Sequence, residues 1–364
     1  MAAQRRLASS DPPLPPAVVF TAHELGEGRL EPGLPDGRPQ KVLRIDLTGA
    51  PPNLLGRLLV GSYITGQDQV IVTARHGLTL EQRKEIRQVV DRTLGMTVVA
   101  ESPATVEIQN FIDPGKHELP RLLHRVVQLL RAELKVCHAA LTEDGAGDLP
   151  QIETLEEEID RLYLLVVRQL LLSSDNPRIA RNIDVQSHHY QIGDRLVAKV
   201  LEVTGDLIHE IGKDLQENLP GLRKTPRPVL GELVTRLEQL DLLLTRTMEA
   251  FGHLSVVEAN ANLNEIGQAL PTGAGLGQLI ARRVANRKVA VAAQRITSNL
   301  TMSLEMLIIV NEVTINRSVE PETVALSGAR VMVGAHGASR PARVSHTSIA
   351  ILATEPSRVA ASRA

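Results

Sequence analysis

Apolar side chains recur every three or four positions along the chain from His117 to Ile315. This spacing aligns them on one face of an α-helix, so it predicts a helical body. The pattern forms two successive sets, each with a long, a middle and a long helix, and a proline-rich stretch separates them. We therefore predict two three-helix repeats, over residues 117–218 and 228–318.

The ends of these helices are predicted from glycine and proline positions and from breaks in the apolar pattern. Pro271 is expected to end the fifth helix, because proline removes a backbone hydrogen bond and clashes with the preceding turn. The predicted helices cover residues 119–141, 152–172 and 188–215 in the first repeat, and 230–251, 256–270 and 276–315 in the second.

Residues 41–113 carry a different pattern, in which short aliphatic runs alternate with amphipathic stretches. Thr79 and Gln82 form the capping-box pair that starts a helix, and Gly95 is suited to end it. The predicted order is strand, helix, strand, helix, strand, strand, with the helices on one face of a sheet. The fold class is therefore mainly α, with two three-helix-bundle repeats preceded by a small α/β domain.

The two ends of the chain lack this periodicity. Residues 1–40 are rich in proline, glycine and arginine, and we predict a disordered or degenerate N-terminal segment. Residues 319–364 are rich in alanine, serine and arginine, and they are predicted to form a flexible tail.

The amino-acid composition and net charge exclude several kinds of protein. Aromatic residues make up only 2% of the chain, so its cores must be aliphatic, which favours helical packing. The single cysteine, Cys137, excludes an internal disulfide and a cysteine-based zinc site. We see no signal peptide and no bilayer-spanning apolar stretch, so we expect a cytoplasmic protein without membrane insertion. The net charge of −2 gives no long-range attraction for nucleic acid.

Two pairs of carboxylates lie on consecutive predicted helices, Glu156 with Asp160 and Glu202 with Asp206. Residues four apart share one helix face, where like charges repel, so helix propensity does not explain them. Antiparallel packing of the two helices would bring all four carboxylates to one interface, and a multivalent cation would relieve their repulsion. Oxygen ligands suit iron, manganese, magnesium or calcium, and zinc less often.

Two further observations bear on this interpretation. Gly205 lies inside the second of these helices, at a cost of about 1 kcal/mol relative to alanine, which indicates the close approach of another group. The alternative is a solvated acidic helix face, on which Glu157 and Glu158 pair with cations such as Arg161.

The segments 157–163 and 190–206 resemble the motif helices of phosphate uptake regulators of the PhoU family. The resemblance extends over residues 117–315, and the segment 106–114 is similar to the linker domain of archaeal-type members. It implies two three-helix repeats and a metal cluster at the four carboxylates. It also implies a non-enzymatic regulator that contacts the PstB-like ATPase of a phosphate transporter or a signalling protein.

Two departures from the family pattern matter. In the second repeat the matching positions are neutral, so we expect no metal there; these positions are Asn264, Gln268, Gln294 and Ser298. Archaeal-type members often begin with an AbrB-like domain that can bind DNA, but residues 1–40 are too short and too rich in proline to predict that fold.

Two other functions stay open as alternatives. One is an AbrB/PhoU-type DNA-binding transcription regulator, which would need a basic reading element. The other is a carboxylate-bridged metalloenzyme, whose helices usually carry Glu-X-X-His motifs that the second and third predicted helices lack. The sequence leaves open which metal binds, whether phosphate is sensed directly, and the oligomeric state, including a homodimer.

Overall fold

A computed structural model describes residues 21–24, 30–33, 41–51, 53–142, 145–185, 187–319, 325–326 and 329–330. The chain divides into two compact units, one of which spans residues 41–334. The short strands β1 (Thr21–Glu24) and β2 (Leu30–Gly33) belong to the other unit and pair with each other in antiparallel fashion. The predictions of a disordered N-terminal segment and a flexible tail otherwise fall mostly outside the described residues.

The predicted α/β domain is present, and its elements follow the predicted order. They are β3 (Val42–Asp46), α1 (Leu54–Ile64), β4 (Gln69–Thr73), α2 (Leu80–Arg92), β5 (Met96–Glu101) and β6 (Thr105–Asn110). The four strands form one sheet in the order β3–β4–β6–β5, in which β3 and β4 are parallel and the other pairs are antiparallel. The capping box of Thr79 and Gln82 starts α2 as predicted.

The rest of this unit is mainly helical, as predicted. Its helices are α3 (Leu119–Thr142), α4 (Gln151–Asp175), α5 (Pro177–Asn182), α6 (His188–Leu222), α7 (Arg227–His253), α8 (Val256–Arg283) and α9 (Arg287–Ser318). The helix α3 packs against α4, α6 and α7, while α9 packs against α6, α7 and α8. One continuous aliphatic core joins them. The grouping into two repeats stays a prediction.

Two short strands, β7 (Ala325–Leu326) and β8 (Ala329–Arg330), pair with each other after α9. None of the helices that the structure describes has both the length and the apolar character needed to cross a membrane.

The two helices with a proline in their interior, α6 and α8, continue past their predicted ends. The helix α8 passes through Pro271, where we predicted that it would end, and α9 starts at residue 287 rather than 276. The helix α6 likewise passes through Pro220. A proline inside a helix costs about 3 kcal/mol, but Leu276 and Ile280 beyond Pro271 are buried at 2% and 0% exposure. Burial of two such side chains contributes about 3–6 kcal/mol, which offsets the lost hydrogen bond.

The α/β domain docks on α4. The Arg168 guanidinium, which is 1% exposed, donates to the backbone oxygens of Tyr63 and Gln67 and lies 5.1 Å from the centre of the Tyr63 ring. Closer to the start of α4, Arg92 Nη2 at the end of α2 lies 2.6 Å from Asp160 Oδ2. The α/β domain therefore contacts the helix that carries the first predicted carboxylate pair.

Candidate metal site

The four predicted carboxylates lie on α4 and α6, which pack against each other. They sit at different depths: Glu156 and Glu202 are 7% and 9% exposed, Asp160 is partly buried and Asp206 is exposed. The structure thus places two carboxylates in the helix interface and two at its rim. Their charges act on one another, because Asp206, Asp160 and Glu202 all raise the pKa of Glu156.

Glu156 is a buried carboxyl group whose ionised form has no hydrogen-bond donor beside it, and only its protonated form can hydrogen-bond to the nearby Asp206 carboxylate. Both of its carboxyl oxygens are buried and neither has a hydrogen-bond partner. Burial first, and then the nearby acidic groups, raise the pKa of Glu156 to about 8. A Cβ atom at Gly205 would lie only 2.7 Å from Glu156 Oε2. The glycine inside α6 therefore leaves room for this carboxyl group, which is the close approach that the sequence indicated.

Two of the other carboxylates, Asp160 and Glu202, have their charges compensated by basic side chains. Asp160 pairs with Arg92, and Glu202 accepts a hydrogen bond from Lys199 Nζ. Burial raises the pKa of Glu202, and Lys199 works against this rise. Among the residues the structure describes, no three His, Cys, Asp or Glu side chains are arranged to hold a metal ion. Cation binding therefore requires Asp160 and Glu202 to exchange their basic partners for the ion.

The outward face of α4 matches the alternative interpretation. Glu157 lies 3.7 Å from Arg161, one turn further along the same helix, and both are partly or fully exposed. Glu158 pairs with Arg125 of α3 at 2.8 Å. The acidic run on α4 is thus split between a solvated face and Glu156, which points into the helix interface.

The sequence analysis missed a fifth carboxylate, Glu133 on α3. Its side chain is 0% exposed, and neither carboxyl oxygen has a hydrogen-bond partner. Burial, followed by the charges of Glu156 and Asp206, raises the pKa of Glu133 to about 10. A signal was available, because Glu133 interrupts the apolar stripe between Leu130 and Cys137. A charged residue at such a position is almost never fully buried unless something pairs with it.

The matching positions on α8 and α9 have a different character. All four neutral residues predicted there, Asn264, Gln268, Gln294 and Ser298, are exposed. The interior nearby holds a basic group instead, because Arg236 of α7 is 1% exposed and donates to the backbone oxygen of Ala269 at 3.0 Å. Arg236 also donates to the hydroxyl of Thr272. These positions offer no carboxylate for a cation.

A buried amide network lies further along the same helices. Asn262 of α8 donates to Asn311 of α9 at 3.3 Å, and Asn311 donates in turn to the Thr247 hydroxyl of α7 at 3.0 Å. The two asparagines are 4% and 0% exposed. These side chains satisfy one another, in contrast to Glu133 and Glu156.

The donor chemistry on α3, α4 and α6 suits a hard cation, because all five side chains carry carboxylate oxygens, although no three of them are arranged around one ion position in this structure. Two of these side chains are buried without partners. Comparison with known proteins adds no assignment: no family model matches this chain, and no curated protein is similar to it.

Proposed function

We propose that this chain is a non-enzymatic helical regulator that binds a divalent metal ion through Glu156, Asp160, Glu202 and Asp206. The main support for the proposal comes from Glu156. Its carboxyl group is buried beside three further carboxylates, and neither of its oxygens has a hydrogen-bond donor. An isolated buried charge costs several kcal/mol, whereas a metal ion compensates the charge and satisfies the oxygens together. The residues suit iron, manganese, magnesium or zinc.

The two basic partners of this site, Arg92 and Lys199, reach it from solvent. The Arg92 side chain is 60% exposed and that of Lys199 is 46% exposed. Their carboxylate partners are more buried, since the Asp160 side chain is 25% exposed and that of Glu202 is 11% exposed. The Arg92 pair is therefore the closer of the two to a surface ion pair, which contributes about 0–1 kcal/mol, and a divalent ion would replace it at the smaller cost. Arg92 belongs to the α/β domain, so binding of the ion would also alter one contact between that domain and α4.

A regulatory role is supported by the resemblance of the motif helices to phosphate uptake regulators of the PhoU family. That resemblance suggests that the protein acts in phosphate homeostasis, in the cytoplasm, through contact with a PstB-like transport ATPase or a signalling protein. A DNA-binding regulator and a carboxylate-bridged metalloenzyme remain the alternatives, and within the described residues no specific contact favours either.

The metal-binding part is tested by the double substitution Asp160→Asn with Asp206→Asn. We expect the purified variant to lose bound metal by elemental analysis and to lose the rise in melting temperature that Mn²⁺ gives the parent protein. The matched control is Glu157→Gln with Glu158→Gln, which removes the same charge from the solvated face of α4. Metal content equal to the parent in the double Asp variant would show that the site is assigned wrongly.

The regulatory part is tested separately by co-purification. The parent protein, isolated from its own cells grown with low and high phosphate, should recover a transport ATPase or a signalling protein, and the double Asp variant should recover less of it. Recovery of DNA in place of such a protein would support the transcription-regulator alternative.

A further inference from the structure

We propose that Glu133 of α3 is a fifth ligand of this site and that, together with Glu156, it forms an inner cation position between α3, α4 and α6. This rests on the function proposed above and adds to it a ligand from a third helix. It also specifies the ion, which must be one that gives up most of its hydration shell, such as Mn²⁺ or Fe²⁺.

The packing of α3 places Glu133 close to the predicted carboxylates. The helix α3 packs against both α4 and α6, so Glu133 faces the interface that holds the predicted carboxylates. The charges of Glu156 and Asp206 act on Glu133, and Cys137 lies one turn further along α3. Glu133 and Glu156 together place four buried carboxyl oxygens without hydrogen-bond partners in this interface.

Protonation would satisfy these oxygens only in part, because protonated Glu156 can donate a hydrogen bond to Asp206, whereas Glu133 has no such partner. A neutral carboxylic acid loses its charge, but it still has one donor and several acceptor positions that need partners. Leaving a buried polar group unpaired costs about 1–3 kcal/mol. A cation between Glu133 and Glu156 removes both penalties, because it neutralises the charges and coordinates the oxygens.

The carboxylates of this site extend from the exposed rim to the buried interface. Asp206 is exposed at the rim, and the adjacent Gly205 has no side chain to separate the rim from Glu156. Glu133 is fully buried, so an ion that reaches it from Asp206 would exchange water for carboxylate oxygens.

Burial also determines which ions fit the inner position. Mg²⁺ gives up its water ligands reluctantly and usually keeps several of them. Glu133 is fully buried, and the described side chains around it include Leu130, Leu134 and Cys137, which offer little to a hydrated ion. We therefore expect Mg²⁺ to bind only at the rim, and Mn²⁺ or Fe²⁺ to reach Glu133.

The test uses the full-length protein, stripped with EDTA, and measures Mn²⁺ binding from the electron paramagnetic resonance signal of the free ion. Glu133→Gln keeps the size of the side chain and removes its charge. We expect it to weaken Mn²⁺ binding about tenfold or more, as loss of metal-site residues typically does. Mg²⁺ binding should change less than twofold. Glu157→Gln, on the solvated face of α4, is the control and should bind Mn²⁺ like the parent.

A second variant, Gly205→Ala, tests the same position without removing a carboxylate. Its Cβ atom would displace Glu156 Oε2, so Mn²⁺ binding should weaken although alanine favours the helix. This variant decides the question if Glu133→Gln does not fold, as judged by circular dichroism. Parent-like Mn²⁺ affinity in a folded Glu133→Gln protein would overturn the inner position and leave the four-residue site standing. A parent protein that binds no Mn²⁺ would overturn both.

Discussion

The metal-free protein should lose stability as the pH rises, and Glu133 should account for much of the loss. Burial raises the pKa of Glu133 from its ordinary value of 4.5 to about 10. The folded state therefore keeps a proton that the unfolded chain releases. The contribution to the free energy of unfolding is complete below pH 4.5 and falls as the pH rises towards 10. Each pH unit in this window changes that free energy by about 1.4 kcal/mol, so the range from about pH 5 to 8 corresponds to up to about 4 kcal/mol.

Urea unfolding at several pH values in EDTA would measure this slope. The variant Glu133→Gln cannot release a proton, so its free energy of unfolding should fall less steeply than that of the parent. The charges of Glu133 and Glu156 act on each other, so the difference between the two slopes reports the loss of Glu133 together with its effect on Glu156. Adding Mn²⁺ should flatten the slope of the parent more than that of the variant, since the ion binds the ionised carboxylates and the variant binds it more weakly. Parallel slopes for the two metal-free proteins would refute the assignment of a buried, protonated Glu133.

Two further predictions concern the contact between the α/β domain and α4. Replacing Arg92 by Gln frees Asp160 from its ion pair. The Mn²⁺ affinity measured by calorimetry should then rise about two- to fivefold, in line with the small energy of an exposed ion pair. Unchanged or weaker Mn²⁺ binding would contradict this prediction. Replacing Arg168 by Ala removes the hydrogen bonds to Tyr63 and Gln67. The α/β domain should then be cleaved faster by limited proteolysis while the helical content stays constant, and equal cleavage rates would argue against this docking role.

Most of the elements follow from local sequence, because helix faces and strand runs are determined by neighbouring residues. The carboxylate pairs on α4 and α6 were found in this way, and so was the close approach at Gly205. The pairing of Arg92 with Asp160 was not, because these residues are far apart in sequence and only the docking of the α/β domain brings them together. The continuation of α8 past Pro271 also depends on residues far away in the sequence. Their side chains bury the turns after Pro271, and this burial offsets the tendency of proline to end a helix.

Glu133 shows a different limit of sequence reasoning. The stripe between Leu130 and Cys137 places its side chain in the core, but the sequence alone does not say whether that core contains an opposite charge. Arg236 occupies a similar interior position on α7 and carries a positive charge. Two buried ionisable groups, one on α3 and one on α7, thus carry opposite charges when ionised, and their neighbouring side chains differ accordingly.

The amide network of Asn262, Asn311 and Thr247 has a consequence for how the helices find their alignment. A core made almost entirely of Leu, Ile, Val and Ala packs nearly as well when one helix slides by a turn, about 5.4 Å. Such a slide would separate the two asparagines and leave their amides unpaired among aliphatic side chains, much as a single buried asparagine fixes the register of a coiled coil. This polar contact therefore selects one alignment of α7, α8 and α9 from several that apolar packing alone would allow.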